Sequence, residues 1–272
     1  MNTGSRIVYM RRSERARKPS RKRKIAFIFF AFLLCALAGS SVYLLRHPAL
    51  QVTDISVVGL RRVLPAEIEL KIREELSGNF FYVIPRSSIV LFSASALEGT
   101  LKSAMPRLAS LHITREFPSK ISVEAREREF WAVFCAGEGG ECGYMDRTGF
   151  VYESAPQSSG SLILSVRKDT GSVGIPSQAI EPALAEQFAD AVRVLKEEIG
   201  EDGESFFIFS ELRDEFRIKV RSGYTLYIKR DDEFKNTIAI LKTFLEKEAG
   251  ENRKDLDYID LRFGNKIFYK LK

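Results

Sequence analysis

The feature that most constrains this chain is an uncharged apolar segment, residues 25–45, which directly follows a basic N-terminal stretch. As an α-helix rising about 1.5 Å per residue, this segment would reach roughly 31 Å, which is the thickness of the hydrocarbon core of a bilayer. We therefore predict a single transmembrane helix at residues 25–45.

The charges on either side of this segment predict its orientation. Residues 1–24 carry ten basic side chains and one acidic one, a balance of +9, whereas the whole chain is +6, so the remainder carries −3. Because basic residues stay on the cytoplasmic side of a membrane helix, we expect a basic cytoplasmic tail at 1–24 and an exported C-terminal part. The positive charge thus reports membrane topology, and we expect no nucleic-acid binding.

A cleaved signal peptide is the alternative reading of the same segment. Ala36, Leu37 and Ala38 have the small-x-small form that signal peptidases accept. The basic leader is long for a signal peptide, however, and the apolar run continues beyond Ala38 to residue 45. The sequence therefore favours a retained anchor.

The first exported segment, residues 49–128, alternates between strand and helix patterns. A β-branched run at 50–58 predicts a strand, Pro65 begins a helix that ends near residue 76, and Ser95 is the expected N-cap of a second helix. Alternating residues at 108–114 and 120–125 predict a hairpin. A small sheet with two helices on one face would bury these apolar residues, an α+β arrangement.

The remaining segment, residues 129–272, reads as a second domain. We predict hairpins over 130–152 with a turn from Asp146 to Gly149, and a surface connection over 154–161. Helices are expected at 182–199 and 232–248, and strands at 206–209, 216–220, 224–228, 258–263 and 266–269.

Cys135 and Cys142 flank a glycine-rich loop between two apolar stretches. An exported compartment would permit a disulfide between them, but two reduced thiols fit the sequence equally well. A zinc site is not expected, because the histidine at 112 lies too far upstream to complete a ligand set.

The sequence carries no recognisable catalytic constellation. The only histidines are His47, next to the membrane, and His112, in a predicted strand, and no phosphate-binding loop, dinucleotide-binding pattern or metal-ligand cluster is present. Asp231 and Asp232 read as the acidic start of a helix. We therefore expect no enzyme activity and no cofactor.

Several segments together carry a family resemblance. VTDISVVG at 52–59, TREFPSKISV at 114–123, the Asp-x-x-Gly turn at 146–149 and YIDLRF at 258–263 follow the basic tail and the single span in order. This layout resembles the FtsQ/DivIB family of bacterial cell-division proteins. It departs from the family pattern at Phe130, where proline is usual, and in the pair Cys135 and Cys142.

The resemblance implies a POTRA module at 49–128 and a mixed α/β domain with an extended antiparallel sheet at 129–272. It also implies a non-enzymatic scaffold of the divisome in the cytoplasmic (inner) membrane at the septum, which links early division proteins to septal peptidoglycan synthesis. The implied partners are FtsB- and FtsL-type single-pass proteins, bound at the end of the second domain, and other divisome components through the POTRA module and the membrane helix.

The resemblance places the partner contact on the last two strands. The residues it implies are Tyr258, Asp260, Arg262, Phe263, Asn265, Lys266, Phe268 and Tyr269. A terminal strand can also form an open sheet edge, to which another chain can add a strand. The alternative is that these aromatic side chains only fill the core, but alternating residues of a strand point to opposite faces and cannot all do so.

Two other classes of function remain open from the sequence. A POTRA-containing outer-membrane assembly or secretion component would need a barrel or secretin-like region, and the exported strands here are short and alternate with helices. A membrane-anchored cell-wall hydrolase would need a catalytic constellation.

Overall fold

The computed structural model describes residues 21–80, 82–137, 139–157, 162–210, 214–230, 234–264 and 266–272. Several sequence predictions lie wholly or partly outside these residues: the basic tail before residue 21, the surface connection at 154–161, the start of the helix at 232–248, the pair Asp231 and Asp232, and Asn265.

The N-terminal helix has the dimensions of a membrane anchor. Helix α1, Arg21–Leu45, begins inside the basic run and continues to the predicted end. Its part Lys24–Leu45 has the length and hydropathy to cross a bilayer, and none of its apolar residues is buried within the described part of the chain. A side-chain surface of this kind is stable only in lipid, which supports the prediction of a single-pass anchor.

The first exported domain has the predicted order of strand, helix, helix, strand and strand. Its elements are β1 Asp54–Val58, α2 Pro65–Glu75, β2 Asn79–Phe80, β3 Ile84–Pro85, α3 Ala94–Ala104, β4 Leu108–Glu116 and β5 Lys120–Glu127. In the three-stranded sheet β5 lies in the centre, parallel to β1 and antiparallel to β4. Ile68 and Ile72 of α2 and Leu97 and Leu101 of α3 are buried with the sheet, in one core.

Three local details of this domain differ from the prediction. The first strand begins at Asp54 rather than at residue 50, because Pro48–Leu50 form a 3-10 turn. The N-cap of α3 is Ser93 rather than Ser95: the Oγ of Ser93 accepts a hydrogen bond from the N–H of Ala96 at 3.3 Å. The small hairpin of β2 and β3 was not predicted, since its strands have only two residues each.

The second domain is built on one large sheet. Its elements are β6 Ala132–Ala136, β7 Cys142–Met145, β8 Phe150–Ala155, β9 Ser165–Lys168, β10 Ser177–Gln178, α4 Pro182–Val194, β11 Gly203–Ile208, β12 Glu215–Val220, β13 Thr225–Lys229, α5 Phe234–Phe244, β14 Leu256–Phe263 and β15 Lys266–Leu271. The strand order is β10-β8-β7-β6-β9-β11-β12-β13-β14-β15. Both helices continue for one π-helical turn, to Ile199 and Ala249.

This sheet is mixed but mostly antiparallel. Strand β9 runs parallel to both of its neighbours, β6 and β11, and β13 runs parallel to β14. Helix α4 covers one face, where Phe188 stacks on Phe206 with ring centres 4.2 Å apart and contacts Phe216 at 5.0 Å. Over β12 to β14 the other face carries charged and aromatic side chains.

A buried ion pair joins the two exported domains. Arg128, just after β5, donates to Asp146 Oδ2 at 2.6 Å and to the carbonyl of Pro106 at 3.0 Å, and its guanidinium lies 4.0 Å from the ring centre of Phe150. Asp146 also accepts from the N–H of Thr148 at 2.8 Å, which forms the predicted turn. Burial disfavours the Asp146 carboxylate, but the hydrogen bonds from Thr148 and Arg128 outweigh it and lower its pKa. The two domains are therefore joined by a charge pair whose buried carboxylate accepts hydrogen bonds from Arg128, Thr148 and Phe150.

Cys135 and Cys142 occupy facing positions on β6 and β7 and are joined by a disulfide, with Cα atoms 4.2 Å apart. The bridge closes a short loop, and chain entropy gives it about 2 kcal/mol of stabilisation.

We expect Cys142→Ser to lower the free energy of unfolding by about 2 kcal/mol in urea titrations without reductant. Dithiothreitol should lower the wild-type value equally and leave the variant unchanged; a wild-type protein insensitive to dithiothreitol would contradict the bridge.

Candidate partner-binding edge

The last strand, β15, forms one edge of the large sheet. It pairs with β14 on one side, and within the described part of the chain no strand pairs with its other side. The opposite edge of the same sheet is β10, which has only two residues. A long edge strand presents a row of N–H and C=O groups to any extended chain that approaches, whereas a very short one does not.

The sheet of the first domain protects one of its own edges. Strand β4 is an edge strand, but the side chain of Glu98 on α3 accepts a hydrogen bond from the N–H of Ile113 at 2.7 Å. This contact blocks part of the β4 edge. Strand β15 is thus the more accessible of the two.

The two faces of β15 carry different aromatic contacts. On the helix side, Ile267 lies against the core and Tyr269 contacts Phe244 of α5, with ring centres 5.0 Å apart. On the other side, Phe268 meets Phe263 of β14 edge-to-face at 5.2 Å. Strand β15 therefore presents an aromatic side chain on each face of the sheet, Tyr269 on one and Phe268 on the other.

These side chains remain open to solvent although they contact one another. The exposed fractions are 54% for Phe263, 53% for Phe268, 52% for Tyr269 and 46% for Leu271. Next to them, Ile267 and α5 line a shallow groove of about 520 Å³. Exposed aromatic residues clustered along a sheet edge are typical of a binding surface rather than of a core.

A charged cluster on β12 and β14 supports this edge from the outer face. Arg262 donates from Nε to Asp260 Oδ1 at 2.8 Å and also bonds to Glu215 of β12. Arg217 pairs with Glu215 at 3.3 Å. Both carboxylates are only 6% exposed, so the two arginines neutralise charges that would otherwise be buried alone.

The cluster changes the proton affinities of its members. The hydrogen bond to Asp260 raises the pKa of Arg262, with Glu215 adding to the effect. Burial raises the pKa of Asp260, but the bonds from Arg262 outweigh it, so the net pKa is lowered. Tyr258 stacks on Tyr227 of β13 at 5.0 Å beside the cluster.

The structure thus brings together seven of the eight predicted partner-binding residues on one hairpin, while Asn265 lies outside the described residues. Phe263, Phe268, Tyr269 and the exposed Lys266 lie along the edge. Tyr258, Asp260 and Arg262 belong to the supporting face. Whether a partner uses these residues stays a prediction.

Sequence reasoning missed several members of this surface. They are Glu215, Arg217, Tyr227, Phe244 and Leu271. Four of them belong to β12, β13 and α5, far from the terminal hairpin in sequence, and only the strand order brings them near. Leu271 could have been found, because it continues the alternation of Ile267 and Tyr269.

The described residues contain no group of histidine, cysteine, aspartate and glutamate side chains that could hold a metal ion. His112 is largely exposed and lies 3.4 Å from Glu98 on the surface of the first domain. No nucleophile stands beside it at hydrogen-bond distance in the described ranges.

Residues 50–128 match the family model described as "POTRA domain, FtsQ-type". The chain carries an FtsQ-type POTRA domain. The match covers the domain of β1 to β5 and supports assignment of the chain to the FtsQ/DivIB type. No curated protein matches the chain.

The POTRA match also bears on the class of function. An FtsQ-type POTRA domain behind a single apolar helix suggests a division-related, membrane-anchored scaffold, and the FtsQ-type POTRA family is generally non-catalytic. The β14–β15 edge lies outside the matched residues, so its role depends on its own geometry.

Proposed function

We propose that this protein is a non-enzymatic scaffold of the bacterial division machinery that binds FtsB- and FtsL-type single-pass proteins at the β15 edge. Through them it links early division proteins to septal peptidoglycan synthesis. The single observation that carries this proposal is a six-residue edge strand with exposed aromatic side chains in a chain that has an FtsQ-type POTRA domain.

The chemistry of the edge favours strand addition. An extended partner segment would form main-chain hydrogen bonds along β15, over about 20 Å at 3.3 Å per residue. Its alternate side chains would then contact Phe268 on one face and Tyr269 with the adjoining groove on the other. Main-chain bonds supply affinity in this mode, and the aromatic contacts select the partner.

The proposal includes a topology and a location. The basic tail lies in the cytoplasm, α1 spans the cytoplasmic membrane at the septum, and both exported domains lie outside the cytoplasm. This orientation follows from the +9 charge before the helix and the net acidic remainder. Further divisome components would bind the POTRA domain or α1, and nucleic acid is not a ligand.

The test is co-purification of the full-length chain, in detergent, with FtsB- and FtsL-type proteins from the same organism. We expect a stable complex, and a fluorescent fusion concentrated at the septum of dividing cells. Failure of both partners to co-purify would overturn the partner assignment, and a fusion spread evenly around the envelope of dividing cells would overturn the division role.

A further inference from the structure

The exit of the chain from the membrane is fixed by side-chain bonds to the POTRA domain. Gln51 donates from Nε2 to the carbonyl of Leu45, the last residue of α1, at 2.8 Å. Arg46, the next residue, donates from Nε to the carbonyl of Val83 at 2.7 Å. The loop containing Val83 is therefore held beside the end of the membrane helix.

This loop is the turn between β2 and β3, and three described apolar residues at it are open to solvent. Phe80 is 41% exposed, Tyr82 96% and Val83 42%, and we call these three residues the hairpin tip. Arg86 lies 5.1 Å from the ring centre of Phe80. No core contact explains why such residues stand at a turn, where polar side chains would be easier to hydrate.

The position of the tip along the membrane normal follows from these bonds. Arg46 stands one residue beyond the apolar span, at the level of the lipid headgroups, which form a layer of about 5–8 Å on each side of the hydrocarbon core. The carbonyl of Val83 is within hydrogen-bond distance of that side chain, so the tip reaches the same layer. Aromatic rings together with arginine are the side chains that this layer favours.

We propose that the hairpin tip inserts into the outer headgroup layer of the membrane that α1 spans, as a second contact between the protein and lipid. Phe80, Tyr82 and Val83 place their apolar surface at the acyl boundary, while Arg86 and Arg46 reach lipid phosphates. The contact fixes the orientation of the POTRA domain on the bilayer surface. It is independent of any partner bound at the β15 edge.

The test is fluorescence quenching of Tyr82→Trp in the full-length protein, reconstituted in lipid nanodiscs with and without lipids brominated near the top of the acyl chain. The native Trp131 also fluoresces, and its emission is measured in the wild-type protein and subtracted. Because the indole would lie at interfacial depth, we expect the emission added by Tyr82→Trp to fall roughly two-fold with brominated lipid. Val83→Trp should behave similarly.

Phe130→Trp is the matched control for Val83→Trp, since Phe130 is 40% exposed and Val83 42%, and Phe130 lies beyond the membrane-distal end of β5. Its added emission should be insensitive to brominated lipid. If the emission added by Tyr82→Trp and Val83→Trp is quenched no more than that of the control, the tip lies in water and the proposal is wrong. No partner is present in this measurement, so a negative result would leave the proposed division role unaffected.

Discussion

Phe268→Asp should weaken binding of the FtsB-type partner by roughly 30-fold or more while leaving the fold intact. The side chain is half exposed on an edge strand, so the substitution costs the free protein little. In the complex, however, the carboxylate would be desolvated beside the ring of Phe263. We expect a loss of about 2 kcal/mol or more, which is roughly 30-fold in Kd.

The measurement is a titration of the purified full-length protein with a labelled partner ectodomain. Phe263→Asp should weaken binding in the same way. Leu70→Asp is the matched control, because Leu70 is an apolar residue on α2 of the POTRA domain that is at least as exposed as Phe268, at 68% against 53%. Equal affinities for Phe268→Asp and Leu70→Asp would mean that the β15 edge is not the binding site.

Arg262→Met should destabilise the second domain by about 3 kcal/mol, the lower end of the range for a broken buried ion pair, since the arginine side chain is 29% exposed. The substitution keeps much of the side-chain volume but leaves Asp260 without its arginine and Glu215 with Arg217 alone. The free energy of unfolding is measured by urea titration at neutral pH. Arg193→Met removes two exposed surface pairs, with Asp190 and Glu197, and should cost less than about 1 kcal/mol.

The pH dependence separates lost charge pairing from lost packing. In the wild type, the lowered pKa of Asp260 gives stability that is present above the unfolded pKa of about 3.9 and is lost as pH falls through the folded pKa. The variant lacks this contribution. The difference in stability should therefore be full at neutral pH and shrink below about pH 4. A difference that stays constant with pH would assign the effect to packing.

The sequence predicts the elements whose local pattern is long. The N-terminal apolar helix and the amphipathic helix at 182–199 are predicted and confirmed as helices, because each repeats one side-chain pattern over several turns. Strand β9 was not predicted. It has four residues and lies in the centre of the large sheet between two parallel neighbours, so its place depends on pairing with strands far away in sequence.

The candidate site, like the fold, could be predicted only in part from the sequence. The alternation of YIDLRF gives the two faces of β14, and the terminal position suggests an edge strand. The role of Asp260 could not be predicted from the neighbouring sequence, because an aspartate two residues before an arginine in a strand is typical of an exposed charge pair. Its burial depends on Glu215 and Arg217 of β12, which reach it only through the order of strands in the folded sheet.

The ion pair of Arg128 with Asp146 has a consequence for partner choice. This ion pair joins the end of the POTRA sheet that is farther from α1 to the second domain. Strand β5 has eight residues, so the two ends of that sheet are about 26 Å apart. With this pair formed and the POTRA domain oriented on the bilayer by the proposed contact of the hairpin tip, the height of the second domain above the bilayer would be a set dimension of the molecule. A partner anchored in the same membrane must then have a membrane-proximal segment long enough to span this height before its β-strand begins. The length of that segment would thus determine recognition together with the sequence of the strand.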